Sequence, residues 1–438
     1  VLRKIGDYQN EYAENEMAQY VLRSIHQSLA QNKSTESNTP NILLIIADDL
    51  GLDAMPGFDE GSLKPYMPNI SKLAGEGVTF ENLWSAPTCT PTRATILTGK
   101  YGYRTNVLQV DDVLSTQETS LQSYLDQETD NTYSHAVIGK WHLSKDVNHP
   151  TQMGVGYYAG MLTGSAKSYT DWRFTQNGQT TRNTEYITTK FTDLAIDWIG
   201  NQQKPWFLWL AYTAPHTPFH LPPSELHSQG NISNDPAAIE QNPLVYYMAA
   251  LEALDTELGR LFESIPQEEL ENTTIIFIGD NGTPNQVAQF PYTRQTVKGT
   301  LYQGGIHVPM IASGYGVTRM GEREERLVNT TDIFSTILDI ANTGVSEIND
   351  SKSFKNSFSQ SNILGRDFVY AEVGSGRTAG HTIRNDQYKL IVLDNGKEEL
   401  YDLIADPYEN NKLGDAALTN IQSLAKQELK KQITQIQK

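Results

Sequence analysis

The chain of 438 residues is long enough to bury a substantial core, as one large domain or as two modest ones. Its 34 basic and 52 acidic residues give a formal net charge of −18, which argues against general nucleic-acid binding because that needs a basic footprint. The single cysteine, Cys89, excludes an internal disulfide framework, and no apolar run reaches the roughly 18 residues of a membrane helix.

The N-terminal segment is predicted to be an amphipathic helix followed by a linker. Met17, Val21, Ile25 and Leu29 recur at four-residue intervals within residues 8–30, as on one face of a helix. A polar stretch then runs to Pro40. We assign residues 1–40 to this helix and linker and expect the helix to pack on the domain surface.

From Asn41 onward, apolar strands alternate with helical patterns. The predicted strands are 41–47, 134–138, 206–212, 274–278 and 308–312, and the predicted helices include 67–75, 188–200, 244–264 and 331–341. This alternation predicts an α/β domain over residues 41–365, with a doubly wound, mostly parallel sheet flanked by helices. Such sheets place their ligands beyond the carboxyl ends of the strands.

The last part of the chain changes to short strands separated by turns. Strands are predicted at 368–372, 381–384, 388–393 and 399–403, and a final helix at 416–437. Residues 366–438 are therefore predicted to form a smaller C-terminal subdomain, an antiparallel sheet with a helix.

Two apolar strands end in acidic residues that could share a metal ion. Asp48 and Asp49 follow the first strand, and Asp280 and Asn281 follow the strand at 274–278. Oxygen ligands of this kind suit a hard cation, Ca²⁺ or Mg²⁺, rather than zinc or copper. Each motif alone is also typical of a turn or a helix cap, and that alternative stays open for each. Together, at the ends of buried strands, they favour a shared metal site.

Cys89 stands in the motif Cys89-Thr-Pro-Thr-Arg93, which continues to Thr98-Gly99-Lys100. Pro91 suits the first turn of a helix, so Cys89 is predicted near a helix N-terminus with Arg93 on the same face. This environment is typical of a reactive cysteine, although a buried core thiol is the alternative.

Further cationic and acid–base candidates follow predicted strands or precede them. Lys140 and His142 come after one strand, His216 lies in a proline-rich loop after another, and Lys298 precedes the strand at 308–312. Taken singly, a lysine or histidine of this kind is more often an ordinary solvated or hydrogen-bonded residue.

These motifs, in this order, resemble the formylglycine-dependent (type I) sulfatases of the alkaline phosphatase superfamily over about residues 41–413. The resemblance implies that a formylglycine-generating maturation enzyme oxidises Cys89 to formylglycine, whose hydrate is the nucleophile. It implies metal ligation by Asp48, Asp49, Asp280 and Asn281, together with an oxygen of residue 89. Calcium is the usual ion, and the residues do not exclude magnesium.

The resemblance also implies roles for the cations and histidines. Arg93 and Lys140 would hold the hydrated aldehyde, and Lys140 and Lys298 would bind the sulfate oxygens. His216, with Lys298, would protonate the departing alcohol. His142 would take the proton from the second hydroxyl as sulfate leaves.

The leading hypothesis is a sulfatase that acts on a sulfated poly- or oligosaccharide. Candidate sugar contacts are loop or subdomain residues: Trp172, His220, His307, Arg377, His381 and Arg384. The alternatives are an arylsulfatase, a phosphonate monoester or phosphodiester hydrolase of the same superfamily, and a non-catalytic protein that binds sulfated glycans. We expect no nucleic-acid or membrane partner and a periplasmic or extracellular location, although no signal peptide is visible; the sequence leaves the oligomeric state open.

Overall fold

The computed structural model describes residues 39–361, 363 and 365–438. The predicted N-terminal helix and the linker up to residue 38 lie outside these residues. Among the described residues, no helix combines the length and the apolar character needed to cross a membrane.

A ten-stranded sheet forms the centre of the molecule, with its strands in the order β10-β2-β9-β8-β1-β7-β3-β4-β5-β6. The strand bounds are β1 Asn41–Ala47, β2 Gly77–Trp84, β3 Ser134–Lys140, β4 Tyr157–Met161, β5 Trp172–Gln176, β6 Gln179–Asn183, β7 Trp206–Ala211, β8 Thr273–Gly279, β9 His307–Gly314 and β10 Glu322–Asn329. The central strands β8, β1, β7, β3 and β4 are all parallel.

Helices cover both faces of this sheet. They are α1 Pro68–Gly75, α2 Cys89–Thr98, α3 Gly102–Thr105, α4 Leu121–Glu128, α5 His149–Gln152, α6 Ile187–Gly200, α7 Pro236–Gln241, α8 Pro243–Ser264, α9 Gln267–Glu271, α10 Gln303–Ile306, α11 Asp332–Ile340 and α12 Asn420–Ile436. Short 3-10 helices lie at Leu52–Ala54, Ser224–Leu226, Lys355–Phe358 and Asp415–Ala417.

The apolar sequence of β1 reflects burial on both faces. Ile42, Leu44 and Ile46 belong to one hydrophobic core, which they share with α2, α4 and α11. Leu43 and Ile45 belong to a second core on the opposite face, which they share with α1, α6 and α8. Side chains alternate between the two faces of a strand, so a central strand covered on both sides must be apolar throughout.

The predicted doubly wound, mostly parallel architecture is confirmed. The strand predicted at 308–312 is β9, which runs antiparallel to both β8 and β2. Its apolar sequence reports burial and carries no information about direction. The strands β2, β4, β5, β6 and β10 are not among the predicted ones, because none of them is an uninterrupted apolar run. β6 is polar throughout (QTTRN), and β10 at the sheet edge reads EREERLVN.

The C-terminal part forms the predicted antiparallel sheet with a helix. Its strands, in sheet order, are β13 Val369–Val373, β14 Gly380–Arg384, β15 Tyr388–Leu393 and β16 Glu398–Asp402. Thr419 and Gln422 form a capping box that starts α12 three residues after the 3-10 turn, so the helix begins later than predicted. Leu429 and Ile433 of α12 pack on this sheet. A short antiparallel hairpin, β11 Glu347–Ile348 and β12 Ser351–Lys352, precedes this C-terminal sheet in the chain.

Candidate active site

The carboxyl ends of four parallel strands meet at one edge of the sheet. β8, β1, β7 and β3 are neighbours, and Ala47 at the end of β1 is level with Gly279 at the end of β8. The next residues continue this pairing: Asp280 N donates to Ala47 O (3.2 Å), and Asp48 N donates to Ala214 O (3.1 Å). The side chains that follow these strands are therefore brought together.

The predicted carboxylate and amide residues that follow β1 and β8 form one buried cluster. Asp48, Asp49, Asp280 and Asn281 are each at most 1% exposed. Asp280 Oδ1 accepts from Asp49 N (2.9 Å), and Asn281 Nδ2 donates to Asp49 Oδ1 (2.8 Å). Asp49 has a φ of 73°, so the chain turns sharply here and both adjacent carboxylates remain in the cluster.

This cluster fits a hard divalent cation. It combines three carboxylates with one side-chain amide oxygen, the ligand chemistry that Ca²⁺ and Mg²⁺ prefer. Two of its buried oxygens, Oδ1 of Asp48 and Oδ1 of Asn281, accept no hydrogen bond from any described residue. A buried oxygen without a donor is costly unless another group satisfies it, and a metal ion would do so. Asp48 and Asp49 also offer oxygens within 4.8 Å of a nitrogen of His216.

Three cationic side chains surround the carboxylates. The Lys140 ammonium forms a fully buried ion pair with Asp48. The Arg93 guanidinium donates to Asp280 Oδ2 (2.8 Å) and to Lys140 O (2.7 Å), and Lys298 Nζ lies 2.5 Å from Asp49 Oδ1. The three positive charges thus balance the three carboxylates before any ion binds.

Burial and these charges shift the pKa values of the two adjacent aspartates in opposite directions. Burial, reinforced by Asp280, raises the pKa of Asp48 above its usual value, although the charges of Lys140 and Arg93 oppose this rise. Burial would also raise the pKa of Asp49, but Lys298 and His216 together hold it below its usual range. Burial would lower the pKa of Lys298, but the Asp49 carboxylate raises it above its usual value. Lys298 therefore stays protonated beside an ionised Asp49.

Cys89 is the first residue of α2 and is 1% exposed. The predicted position at a helix N-terminus is thus observed. Arg93, one turn further on, directs its guanidinium to Asp280 and the backbone of Lys140. Burial raises the pKa of the Cys89 thiol, although Lys140 and Lys298 partly oppose this. An unmodified Cys89 is thus a poor thiolate nucleophile.

His142 lies directly against Cys89. Its Nδ1 is 3.2 Å from Cys89 Sγ, and its Nε2 is 3.1 Å from Oδ1 of Asp111. The backbone φ of His142 is 54°, which turns the chain after β3. Gly164 covers the ring, because a Cβ atom there would lie 2.2 Å from His142 Cε1. Burial, followed by the charges of Lys140 and Arg93, lowers the pKa of His142 well below its usual range.

His216 occupies the opposite side of the cluster. Its Nε2 lies 3.7 Å from Asp49 Oδ2, and its Nδ1 is 2.7 Å from Thr217 O. The Tyr169 hydroxyl lies 2.7 Å from His216 O and 2.9 Å from Thr213 O, so it fixes the loop that carries this histidine. Burial lowers the pKa of His216 to about 4, although Asp49 raises it in part.

All predicted catalytic and metal-binding residues therefore lie at the same strand ends. These residues are Cys89, Arg93, Lys140, His142, His216 and Lys298, with Asp48, Asp49, Asp280 and Asn281. Their individual roles remain predictions.

The predicted sugar contacts do not share one location. Trp172 is 3% exposed and donates Nε1–H to Glu185 O within the second core, so it is a packing residue and unavailable to a ligand. The Arg384 guanidinium is used locally, because it donates to two backbone carbonyls and to Asn82. His307 donates its Nε2–H to the backbone carbonyl of Glu81, in the strand pair β2–β9.

None of the other three candidates is fully buried. His220 stacks on Tyr169, with ring centroids 3.8 Å apart, beside the His216 loop. His381 is half-buried on β14 and stacks on Tyr370. Arg377 is exposed in the 374–379 loop.

The loop of Arg377 borders the site by two contacts. Thr378 Oγ1 accepts from Leu301 N (3.0 Å), three residues after Lys298. Gly374 N donates to Leu108 O (2.9 Å), in the loop that leads to Asp111. Arg377 is therefore the predicted sugar contact that is exposed and lies in a loop hydrogen-bonded to the segments carrying Lys298 and Asp111.

No sequence motif identifies Asp111, Tyr169 or Gly164 as part of the site. Each lies in a segment without a recognisable motif, at least 22 residues in the chain from Cys89, and contacts the site only through the tertiary fold. Because Lys140 and His142 follow a predicted strand, the sequence indicates a site there. The residues next to His142 in the chain do not indicate which side chains contact it.

Comparison with known proteins agrees with this geometry. A family model described as "Sulfatase" matches residues 40–343, and one described as "N-sulphoglucosamine sulphohydrolase, C-terminal" matches residues 296–438. Arylsulfatase J of Mus musculus is 28% identical over 334 residues, covering 71% of this chain and 54% of that protein. N-acetylgalactosamine-6-sulfatase of Canis lupus familiaris is 27% identical over 342 residues, covering 69% and 62%. The matches thus span less than two thirds of either relative.

A solved structure is similar over nearly the whole chain. The crystal structure of Ps i-CgsB in complex with k-i-k-neocarrahexaose superposes with a TM-score of 0.76 and is 25% identical. The superposition covers 90% of this chain and 92% of that one.

Proposed function

The chain belongs to the sulfatase family, and we propose that it hydrolyses sulfate esters of a carbohydrate, with residue 89 converted to formylglycine. The observation that carries this proposal is the position of Cys89, between His142 and a buried set of carboxylates and cations. The raised pKa of the thiol supports conversion, because an unmodified Cys89 would be a weak nucleophile at this position.

We propose that Asp48, Asp49, Asp280 and Asn281 hold one divalent cation, with calcium as the ion and magnesium as the alternative. Such an ion supplies Lewis-acid polarisation of oxygens bound to it. The two buried oxygens without donors, on Asp48 and Asn281, support this assignment.

The charge balance favours an anionic substrate. Arg93, Lys140 and Lys298 already offset three carboxylates, so a divalent cation leaves the site with a net positive charge. In a buried, weakly screened site this excess attracts an anion strongly, even though the whole protein is acidic. Lys140 and Lys298 are the groups we propose to bind the sulfate oxygens.

The histidines are placed for proton transfer on opposite sides. We propose that His216 protonates the leaving alcohol from its imidazolium form. Thr217 O accepts its Nδ1–H, so the second proton would be carried by Nε2, which is directed toward the cluster, and the charge of the bound sulfate anion would favour this doubly protonated ring. His142, whose Nδ1 contacts residue 89, is proposed to accept a proton from a hydroxyl there.

The proposed substrate is a sulfated poly- or oligosaccharide. Support comes from the N-acetylgalactosamine-6-sulfatase relative and from the similar structure that holds an oligosaccharide. Arg377, exposed beside the site, is the proposed first contact with the sugar. A periplasmic or extracellular location would give access to such polymers.

The test is release of free sulfate from defined sulfated oligosaccharides, measured by ion chromatography. The protein is produced with a formylglycine-generating enzyme, and conversion of residue 89 is quantified by peptide mass spectrometry. We expect release by the converted protein and none by Cys89→Ser.

Other outcomes would contradict the proposal. Equal release by Cys89→Ser would refute residue 89 as nucleophile, and faster cleavage of a phosphate diester would favour a phosphodiesterase. Tight glycan binding without release by fully converted protein would indicate a binding protein instead.

A further inference from the structure

Asp111 is the side chain that meets the far nitrogen of His142. Its Oδ1 is 3.1 Å from His142 Nε2, while His142 Nδ1 is 3.2 Å from Cys89 Sγ. Three side chains thus form a line from the buried residue 89 to a carboxylate that is 51% exposed. None of the sequence motifs includes Asp111.

The local chain holds this carboxylate in place. The neighbouring Asp112 carboxylate accepts from the backbone N–H of Leu108 (2.8 Å) and Gln109 (3.0 Å), which closes a turn. Asp111 lies within that turn at a φ of 68°, a left-handed conformation that aspartate tolerates better than most residues. Its own N–H donates to Thr90 Oγ1 (3.2 Å), one residue from Cys89. The loop is therefore fastened to the first turn of α2.

The chemistry of the two contacts decides which ring nitrogen carries the proton. An ionised carboxylate only accepts hydrogen bonds, so His142 Nε2 must be the donor to Asp111. In the neutral ring Nδ1 is then a bare acceptor, directed at residue 89. A ring flipped by 180° would place carbon atoms at both contacts and lose both hydrogen bonds, so the observed orientation is favoured.

We propose that Asp111 is a positioning residue, which fixes the tautomer and orientation of His142 so that Nδ1 accepts a proton from residue 89. The inference rests on the proposed function for its catalytic consequence, and on the geometry alone for the tautomer. Lys145 Nζ lies 3.2 Å from the other oxygen of Asp111, and both side chains are more than half exposed, so Lys145 has little influence on the ring.

The first test observes the ring itself in unconverted protein, and so does not depend on sulfatase activity. Ring ¹⁵N NMR of His142, assigned with His142→Asn, reports which nitrogen is protonated. We expect protonated Nε2 and bare Nδ1 in the wild type. Asp111→Gly, which keeps the left-handed backbone accessible, should lose this preference. Asp111→Asn should weaken the preference as well, because an amide can either accept from Nε2–H through its oxygen or donate its own N–H to Nε2.

The second test is steady-state kinetics of converted protein on a sulfated oligosaccharide that the wild type hydrolyses. Asp111→Gly should lower kcat by about 10- to 100-fold with KM changed by less than about twofold, because an orienting partner is lost while substrate contacts remain. Lys145→Ala is the matched control and should keep both the tautomer and kcat. Thermal unfolding of each variant checks that the fold is retained.

The outcomes separate the two proposals. A tautomer in Asp111→Gly and Asp111→Asn identical to that of the wild type would overturn the positioning role, as would unchanged kcat. A changed tautomer in a protein that releases no sulfate would keep the role of Asp111 for the ring and refute the proposed function.

Discussion

Replacing Lys140 by methionine should destabilise the metal-free protein strongly. The Lys140 ammonium and the Asp48 carboxylate are fully buried and form an ion pair, and Oδ1 of Asp48 already has no hydrogen-bond donor among the described residues. Removing the ammonium leaves Asp48 beside the Asp280 carboxylate, with Arg93 Nη2 3.8 Å away. Breaking one side of a buried pair costs about 3–5 kcal/mol, so the free energy of unfolding in EDTA should fall by that amount.

A divalent cation should reduce this loss, because it restores positive charge beside Asp48. Binding at about 100 times Kd also stabilises a protein by about 2.7 kcal/mol, which helps to separate calcium from magnesium in the same measurement. The assay is urea unfolding in EDTA and at increasing concentrations of each ion.

A double variant gives the sharpest control. Asp48→Asn/Lys140→Met removes both charges and should lose less stability than the two single changes together. The exposed pair Asp171–Arg182 is the matched surface control, and its removal should change little. A loss below about 1 kcal/mol for Lys140→Met, or an equal loss with and without ions, would refute this account of the cluster.

Three other predictions concern residues around the site and the subdomain. Gly164→Ala should lower kcat by at least about tenfold, because its Cβ would lie 2.2 Å from the His142 ring and displace it. Tyr169→Phe should cost about 1–2 kcal/mol in urea unfolding and reduce kcat, because two buried carbonyls, one of them on His216, lose their hydroxyl donor. Burial raises the pKa of Glu372 to about 7, so the native state keeps a proton that the unfolded state releases; stability should fall by about 3 kcal/mol as pH rises from about 4.5 to 7. Glu372→Gln should remove that pH dependence.

Each of these predictions has a control or an opposing outcome. Gly200→Ala, where an added Cβ meets nothing within 4 Å, should leave kcat unchanged. Tyr246→Phe removes a hydroxyl that donates to Ser233 O, away from the catalytic cluster, and should spare kcat. Equal kcat losses in test and control variants would contradict the local explanations. A Glu372→Gln protein with an unchanged stability–pH curve would contradict the burial of that carboxyl group.

The sequence predicted the site better than it predicted the sheet. Asp48–Asp49 and Asp280–Asn281 could be paired because each follows a fully apolar strand, and parallel neighbours end at the same edge. The mixed sequences of β2 and β10 hide their membership of the same sheet, since an edge strand and its neighbour tolerate polar residues. The apolar sequence of β9 does not indicate that this strand runs antiparallel to its neighbours.

Contacts between residues that are far apart in the chain could not be predicted from the sequence either. Trp172 looked like an accessible ring in a loop, but a short strand buries it against α6. Asp111 meets His142 across 31 residues of chain through a turn closed by Asp112. Such contacts depend on the packing of two loops, which no local pattern of residues encodes.

The most direct test of the central claim is a crystal structure of the converted protein with a divalent cation and sulfate. We predict that the ion is bound by Asp48, Asp49, Asp280, Asn281 and an oxygen of residue 89, with sulfate between Lys140 and Lys298. An ion bound at other residues, or residue 89 directed away from both the ion and the sulfate, would contradict the account.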